Sequence, residues 1–349
     1  MLLIRPIVAS DLNALKQIAI ESGHGFTSLP NNETLLSGKI EKAENSFSSD
    51  ASTPGDQSYL FVLEDTGTHE VVGITGIEAC VGTAVPLYHY RLETINNQCA
   101  SLGVNKSINT LTFCDDYAGA SEVCTLFVRE EYRKQKVGQL MSRVRFLFMA
   151  NHPQRFSNKV IAEMRGVSDS EGNSPFWAWL EKNFFGIDFP TADYLVGIGN
   201  KGFISELMPK HPIYVSLLSK EAQAVIGQVH ANTKPALRLL EKEGFQFNNY
   251  VDLFDAGPTV EIPLQDIRSI RESQSCQVQV TKTAEISKVT ETAQAQQSYF
   301  ICNDQVKNFR AIASTEASYE IDNNLLIISQ TLATALLLKT GDYVRFLCL

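Results

Sequence analysis

Residues 121–150 read SEVCTLFVREEYRKQKVGQLMSRVRFLFMA, and the way this run folds decides the rest. EVCTLFV is an apolar run of strand length and REEYRKQK a charged turn. From Val137 onward, Leu140, Val144, Leu147 and Phe148 recur at helical spacing. The run therefore predicts strand, turn, helix. A helix start leaves backbone N–H groups without intrahelical partners and carries a partial positive charge, so such a junction can hold a diphosphate with no dedicated side chain. Taken alone the junction is weak evidence, because basic turns are usually only solvated.

Upstream, SYLFVLED and EVVGITGIEAC are two β-rich runs separated by TGTH, which predicts an antiparallel hairpin from Tyr59 to Cys80. The opening IRPIVASDLNALKQIA places a short strand before the capping residues Ser10 and Asp11. Leu12, Leu15, Ile18 and Ala19 then follow at helical spacing. The segment ESGHGFTSLPNNE is rich in turn formers, and a helix is expected from Glu33 to Ala43.

Downstream, KVIAEMRG predicts a buried strand, and an aromatic-rich insertion spans about 167–226. Within it SPFWAWLEKNFF predicts a helix capped by Ser174 with Pro175 in its first turn. NTKPALRLLEKEGF predicts a further helix with Asn232 or Thr233 as cap and Gly244 as stop, leading into the strands FQFNNYVDLF and TVEIPL. From 273 to 298 the composition turns to Gln, Thr, Ser, Lys and Glu, so a linker is expected there. The remaining 299–349 offers several short strands. The expected organisation is a domain over 1–272, a linker over 273–298 and a small β domain over 299–349.

Composition removes several function classes. A net charge of -9 with no block of Lys and Arg argues against a nucleic-acid partner, which calls for a basic face. No apolar stretch reaches the roughly 18 residues of a membrane span. Arg5 and Asp11 interrupt what would be the core of a secretory signal, so a cytoplasmic protein is expected. The 7 cysteines form neither a C-x-x-C pair nor a disulfide framework, which points to reduced thiols and no metal. Cys124, flanked by apolar residues in its strand, reads as a small buried side chain and not a nucleophile.

Taken in order, the opening strand and helix, the hairpin, the R-K-Q-K-V-G turn after a strand and the N-T-K-P-A-L-R-L-L-E-K-E-G-F segment resemble the GNAT superfamily of acyl-CoA N-acyltransferases. The implied fold is an α/β GNAT-like mixed sheet flanked by helices, with the long insertion and the small C-terminal β domain. In that superfamily an R-x-x-G-x-G turn wraps the CoA diphosphate. Arg133 and Gly138 match it, but Lys136 stands where the first glycine sits, a change the turn accommodates if the backbone there keeps a negative φ. A closer resemblance runs along nearly the whole chain. SGHGFTSLPNNETL, SEVCTLFVREEYR, KVIAEMRGVSDSEGNSPFW, EAQAVIGQVHANTKPALRLLEKEGF and FDAGPTVE are similar to successive segments of the arginine N-succinyltransferase family.

That resemblance implies transfer of succinyl from succinyl-CoA to the α-amine of L-arginine, with succinyl-CoA as co-substrate and no permanently bound cofactor. His230 matches the family's proton donor; read without the family, it would be a capping or surface histidine. Leu126 matches a succinyl-CoA contact through its backbone, and Phe127, Val128, Arg133, Gly138 and Asn232 complete the implied cofactor contacts. For the guanidinium, Asp115, Asp116, Glu122 and Glu163 are candidate carboxylates; for the succinyl carboxylate, Arg91 and Arg165 are candidate cations. His24 is given no role. Two rivals stay open: an N-acyltransferase for ornithine or another amine, and a non-catalytic CoA-binding subunit, for which Lys136 is the hint. A homo-oligomer and a paired subunit are both compatible with the sequence.

Overall fold

Leu2–Pro6 forms strand β1, and helix α1 (Leu12–Glu21) follows with Leu15, Ile18 and Ala19 buried, the face its spacing predicts. The computed structural model describes residues 1–23, 28–134, 136–169, 172–197, 199–200, 202–281 and 297–349. Helix α2 runs over Glu33–Ser48, longer than its expected end at Ala43, and the Asn32 side chain caps it by accepting the Leu35 N–H at 3.1 Å. Strands β2 (Ser58–Asp65) and β3 (Glu70–Glu78) make the expected antiparallel hairpin. β4 (His89–Cys99) and β5 (Val104–Cys114) form a second, longer one.

The deciding run folds as read: β6 covers Ser121–Val128 and α3 covers Val137–Asn151. After β7 (Lys159–Glu163) come the insertion helices α4 (Pro175–Leu180), α5 (Phe189–Gly197), α6 (Gly202–Leu207) and α7 (Lys220–Val225), with the short strand β8 (Ile213–Tyr214) before α7. α4 continues through a wider π turn at Glu181–Phe185, and Ser174 holds its N-cap position without making a side-chain cap bond. The insertion has its own core around Trp177, whose indole N–H donates to the Ile187 carbonyl at 3.1 Å. Helix α8 (Lys234–Glu243) ends at Gly244 with φ 103°, the left-handed stop its sequence predicts.

Strands β9 (Gln246–Asp252) and β10 (Pro258–Pro263) return to the main sheet, followed by helix α9 (Arg268–Glu272). Where the composition suggested a linker from residue 273, the chain runs straight into strand β11 (Gln274–Thr281). The reason is period-two alternation beneath the polar composition: Cys276 and Val278 are fully buried while Gln277 and Gln279 face out. The rest of the expected linker, 282–296, lies outside the described residues. Strands β12 (Tyr299–Asn303), β13 (Ala311–Ser314), β14 (Ala317–Glu320), β15 (Leu325–Ser329) and β16 (Tyr343–Cys348) then surround helix α10 (Gln330–Leu336), so the tail is not β alone. Its strands join the others through β1 and β13, which pair antiparallel at Ile4 and Ala311.

The described strands make one 16-stranded mixed sheet in the order β14-β15-β11-β16-β12-β13-β1-β2-β3-β6-β7-β10-β9-β4-β5-β8. Helices α1, α2 and α3 bury their apolar faces on its centre, where Phe47, Phe61 and Phe148 meet edge to face with centroids 5.2–5.7 Å apart. No helix among the described residues is long and apolar enough to cross a membrane.

Candidate active site

Neighbours β6 and β7 are parallel, and they pair only at Ser121 with Val160 and Glu122 with Ile161. Beyond those pairs the ladder stops, so the C-terminal ends of β6 and β7 bound an opening whose vertex carries Glu122 and Glu163. On the β6 side the pairing with β3 slips between Ile74 and Gly76, because Cys124 opposes Gly76 while Phe127 opposes Ile74. Thr125 and Leu126 therefore face Thr75 alone, a β-bulge, and Thr125 is held at φ 55°. A bulge leaves a residue out of the ladder and re-aims backbone groups, and a β-branched residue at positive φ is strained. The spacing of residues could not reveal this bulge.

Beyond Val128, the Arg133 Nε donates to the Val128 carbonyl at 2.8 Å, and its guanidinium carbon lies 5.7 Å from the centre of the Phe127 ring. These contacts fold the turn back onto β6. Lys136 then holds the N-cap position of α3, and its φ is 62°, not negative. The expectation for Lys136 is corrected: the lysine adopts the left-handed conformation that glycine favours, at a cost of about 1 kcal/mol. No side chain among the described residues caps α3; the Val137 N–H donates to the Lys134 carbonyl at 3.1 Å and the Gln139 N–H to the Lys136 carbonyl at 2.8 Å, so the Gly138 N–H is the one a ligand could take at this helix start. A Cβ built on Gly138 would meet nothing within 4 Å, so the helix start faces open space there.

Opposite stands His230. Val229 bridges antiparallel to Gly166, just past β7, and the His230 N–H donates to the Arg165 carbonyl at 2.9 Å. The ring caps the turn that opens α8, with Nδ1 accepting the Asn232 N–H at 3.2 Å. The predicted cap by the Asn232 or Thr233 side chain is thus replaced by the imidazole, which makes His230 a capping residue. Nε2 is the ring's remaining polar atom. Burial, then the positive charge of Arg165, holds the imidazole below its ordinary pKa. Asn232 takes part here through its backbone.

The segment that carries Arg165 is itself anchored. Asp255, buried in the turn between β9 and β10, accepts the Gly166 N–H at 2.6 Å and the Gly257 N–H at 2.8 Å. Both glycines are required, since a Cβ on Gly166 would lie 2.5 Å from the Asp255 carboxylate and one on Gly257 would strike the Met164 carbonyl. Burial, then the neighbouring Asp252, pushes Asp255 well above the usual carboxylate range. Sequence reading missed this clasp; the only signal was Asp-x-x-Asp-x-Gly-Pro between two strands.

The remaining candidates divide. Arg165 lies beside His230 and is held by the Ser168 hydroxyl at 2.8 Å. Glu163, at the vertex of the opening, has the Nε2 of fully buried His89 at 2.8 Å from its Oε1, though at an angle skewed from that of a hydrogen bond. His89 was also missed, since its place is set by pairing between distant strands. Arg91 sits in the same row of the sheet as Glu163, through Tyr250 and Thr259, but three strands away. At about 4.8 Å per strand that is roughly 14 Å. Its guanidinium is already bonded to Asp116 at 2.7 Å, and the Tyr250 hydroxyl donates to the same carboxylate at 2.8 Å. The structure therefore groups Leu126, Phe127, Val128, Arg133 and Gly138 on one side, and Glu163, Arg165, His230 and Asn232 on the other, with Arg91 and Asp116 apart. His24 lies outside the described residues. Burial raises the pKa of the Cys124 thiol, which makes it a poor nucleophile.

An opening between parting parallel strands, with a helix start on one side and an imidazole on the other, suits an α/β acyltransferase, the class to which comparison with known proteins assigns the chain. A family model described as "Arginine N-succinyltransferase beta subunit" matches residues 2–269, and one for its C-terminal domain matches 280–347. The chain belongs to the arginine N-succinyltransferase family. It is 43% identical to a protein named arginine N-succinyltransferase from Yersinia enterocolitica, over 100% of this chain and 98% of that one. It is 44% identical to the one from Salmonella schwarzengrund, over 99% and 97%. Among solved structures it is similar to the arginine/ornithine succinyltransferase subunit AI of Pseudomonas aeruginosa, with TM-score 0.87, 34% identity and coverage of 100% and 98%.

Proposed function

We propose that this protein transfers the succinyl group of succinyl-CoA to the α-amine of L-arginine, giving N2-succinylarginine and CoA. The observation that supports this best is the bulge at Thr125 and Leu126 on β6, next to the strand β7 whose continuation at Arg165 holds the His230 N–H. In the reaction the neutral amine attacks the thioester carbon and a C–N bond forms. The C–S bond breaks with its electron pair going to sulfur, and one proton is lost from the amine as one is gained by the thiolate. We assign the CoA diphosphate to the start of α3, where the Gly138 N–H and the positive end of the helix face open space, with Arg133 shaping the turn. The thioester carbonyl falls to the Leu126 backbone, and the His230 ring serves the atom that gains negative charge. We assign Glu163 to the cationic acceptor and Arg165 to the succinyl carboxylate; Arg91, bonded to Asp116, is less suited to that role.

We take residues 1–272 as the catalytic unit, with the tail as its companion. The reaction is taken to be cytoplasmic, since free thiols suit a reducing compartment. Ornithine is the second acceptor to test, because the Pseudomonas relative carries both names. The decisive experiment is mass spectrometry of the product from succinyl-CoA with arginine and ornithine in competition. Succinylarginine as the main product supports the reading. Mainly succinylornithine shifts the acceptor, and no acylated amine with any acyl-CoA rejects the activity.

A further inference from the structure

The hydrogen bonds around His230 determine more than its position. Nδ1 accepts the Asn232 N–H at 3.2 Å, while the residue's own N–H is anchored on the Arg165 carbonyl at 2.9 Å. A ring nitrogen that accepts an N–H carries no proton, so the proton of the neutral ring sits on Nε2. Protonating Nδ1 would set two N–H groups against each other and break the cap. Two charges reinforce this. Helix α8 begins just beyond the ring and presents its positive end, and Arg165 brings a full charge from the segment after β7. The first ionisable residue of α8 is Lys234, whose backbone N–H donates to the His230 carbonyl at 3.2 Å.

We infer that His230 rests as the neutral Nε2–H tautomer and serves the transfer as a hydrogen-bond donor through Nε2, not as an imidazolium that hands over a proton. The catalytic half of this rests on the proposed succinyl transfer. The tautomer is a property of the protein alone. A neutral donor held in place needs no reorganisation as charge develops on the carbonyl oxygen or the sulfur, and its competence does not depend on the small imidazolium fraction present near neutrality. Asn232 thereby becomes a positioning residue that acts through its backbone N–H.

The test uses the full-length protein labelled with 15N-histidine, with long-range proton–nitrogen correlations recorded from about pH 7.5 downward. Of the 6 histidines, His230 is assigned by its loss in His230→Gln. The expected result is an unprotonated Nδ1 and a protonated Nε2, favoured about tenfold over the other tautomer and persisting below the ordinary midpoint of about 6.5. A protonated Nδ1 near neutral pH overturns the inference. In the rate arm, His230→Gln keeps an N–H donor and is expected to turn over at least about tenfold faster than His230→Ala. Equal rates for the two variants overturn the donor role. If the wild-type protein shows the expected tautomer but makes no acylated amine, the transfer reading fails and the tautomer assignment stands.

Discussion

Replacing Asp255 by alanine tests whether the position of His230 depends on a carboxylate outside the opening. The change removes both acceptors that hold Gly166 and Gly257, at 2.6 and 2.8 Å, and leaves two buried N–H groups without a partner. At about 1–3 kcal/mol for each orphaned donor, the loss of stability is roughly 2–6 kcal/mol. The activity loss comes by a separate route: Gly166 is bridged to Val229, and Arg165 beside it holds the His230 N–H, so release of this strand end moves the imidazole. A displacement near 1 Å lowers turnover about 100-fold. Thermal and urea unfolding give the first quantity, and kcat with saturating succinyl-CoA and arginine the second. Asp255→Asn retains one acceptor oxygen but turns an amide N–H toward the other donor, so it should fall between wild type and alanine in both. Wild-type turnover in a folded Asp255→Ala protein would show that the clasp does not position His230.

Loss of the Nε2–H donor in His230→Ala should lower turnover by about 100-fold or more, with a loss of about 1 kcal/mol from the broken cap seen in a thermal melt. Because the folded protein holds this imidazole below its ordinary pKa, protonation is favoured in the unfolded chain. Its contribution to stability is therefore present at neutral pH and lost as pH falls through about 6.5 and below; urea titrations of wild type against His230→Gln should show the difference there. Lys136→Gly relieves a left-handed non-glycine residue and should raise stability by roughly 0.5–1 kcal/mol, read as a higher unfolding midpoint. Gly138→Val meets open space in the folded chain, so stability should change by under about 1 kcal/mol. The KM for succinyl-CoA should rise about tenfold or more as the new side chain blocks the helix start, and an unchanged KM would place the diphosphate elsewhere.

Local rules sufficed wherever a signal lay within a few residues. The strand, charged turn and helix of 121–150, the hairpin at β2 and β3, and the α8 stop at Gly244 all follow from spacing, turn residues and caps that neighbours along the chain enforce. Composition misled at β11, because glutamines on the exposed face masked the alternation of Cys276 and Val278 that pairing with β15 and β16 buries. At Lys136, sequence located the turn but not its dihedral, which is imposed by a helix that must start there.

The sequence by itself determined the family, the strand-turn-helix that offers a helix start, and the histidine before α8, since each is written in contiguous residues. Only the tertiary structure decided that β6 and β7 part after two pairs, that Thr125 bulges opposite Thr75, and that Asp255 ties Gly166 into the strand end that holds His230. It also separated Arg165, beside the imidazole, from Arg91, three strands away and bonded to Asp116. The physical reason is range. Helix starts and stops depend on hydrogen bonds a few residues apart, whereas strand register and the contents of an opening depend on contacts between segments far apart in the chain, which come together only when the whole sheet forms.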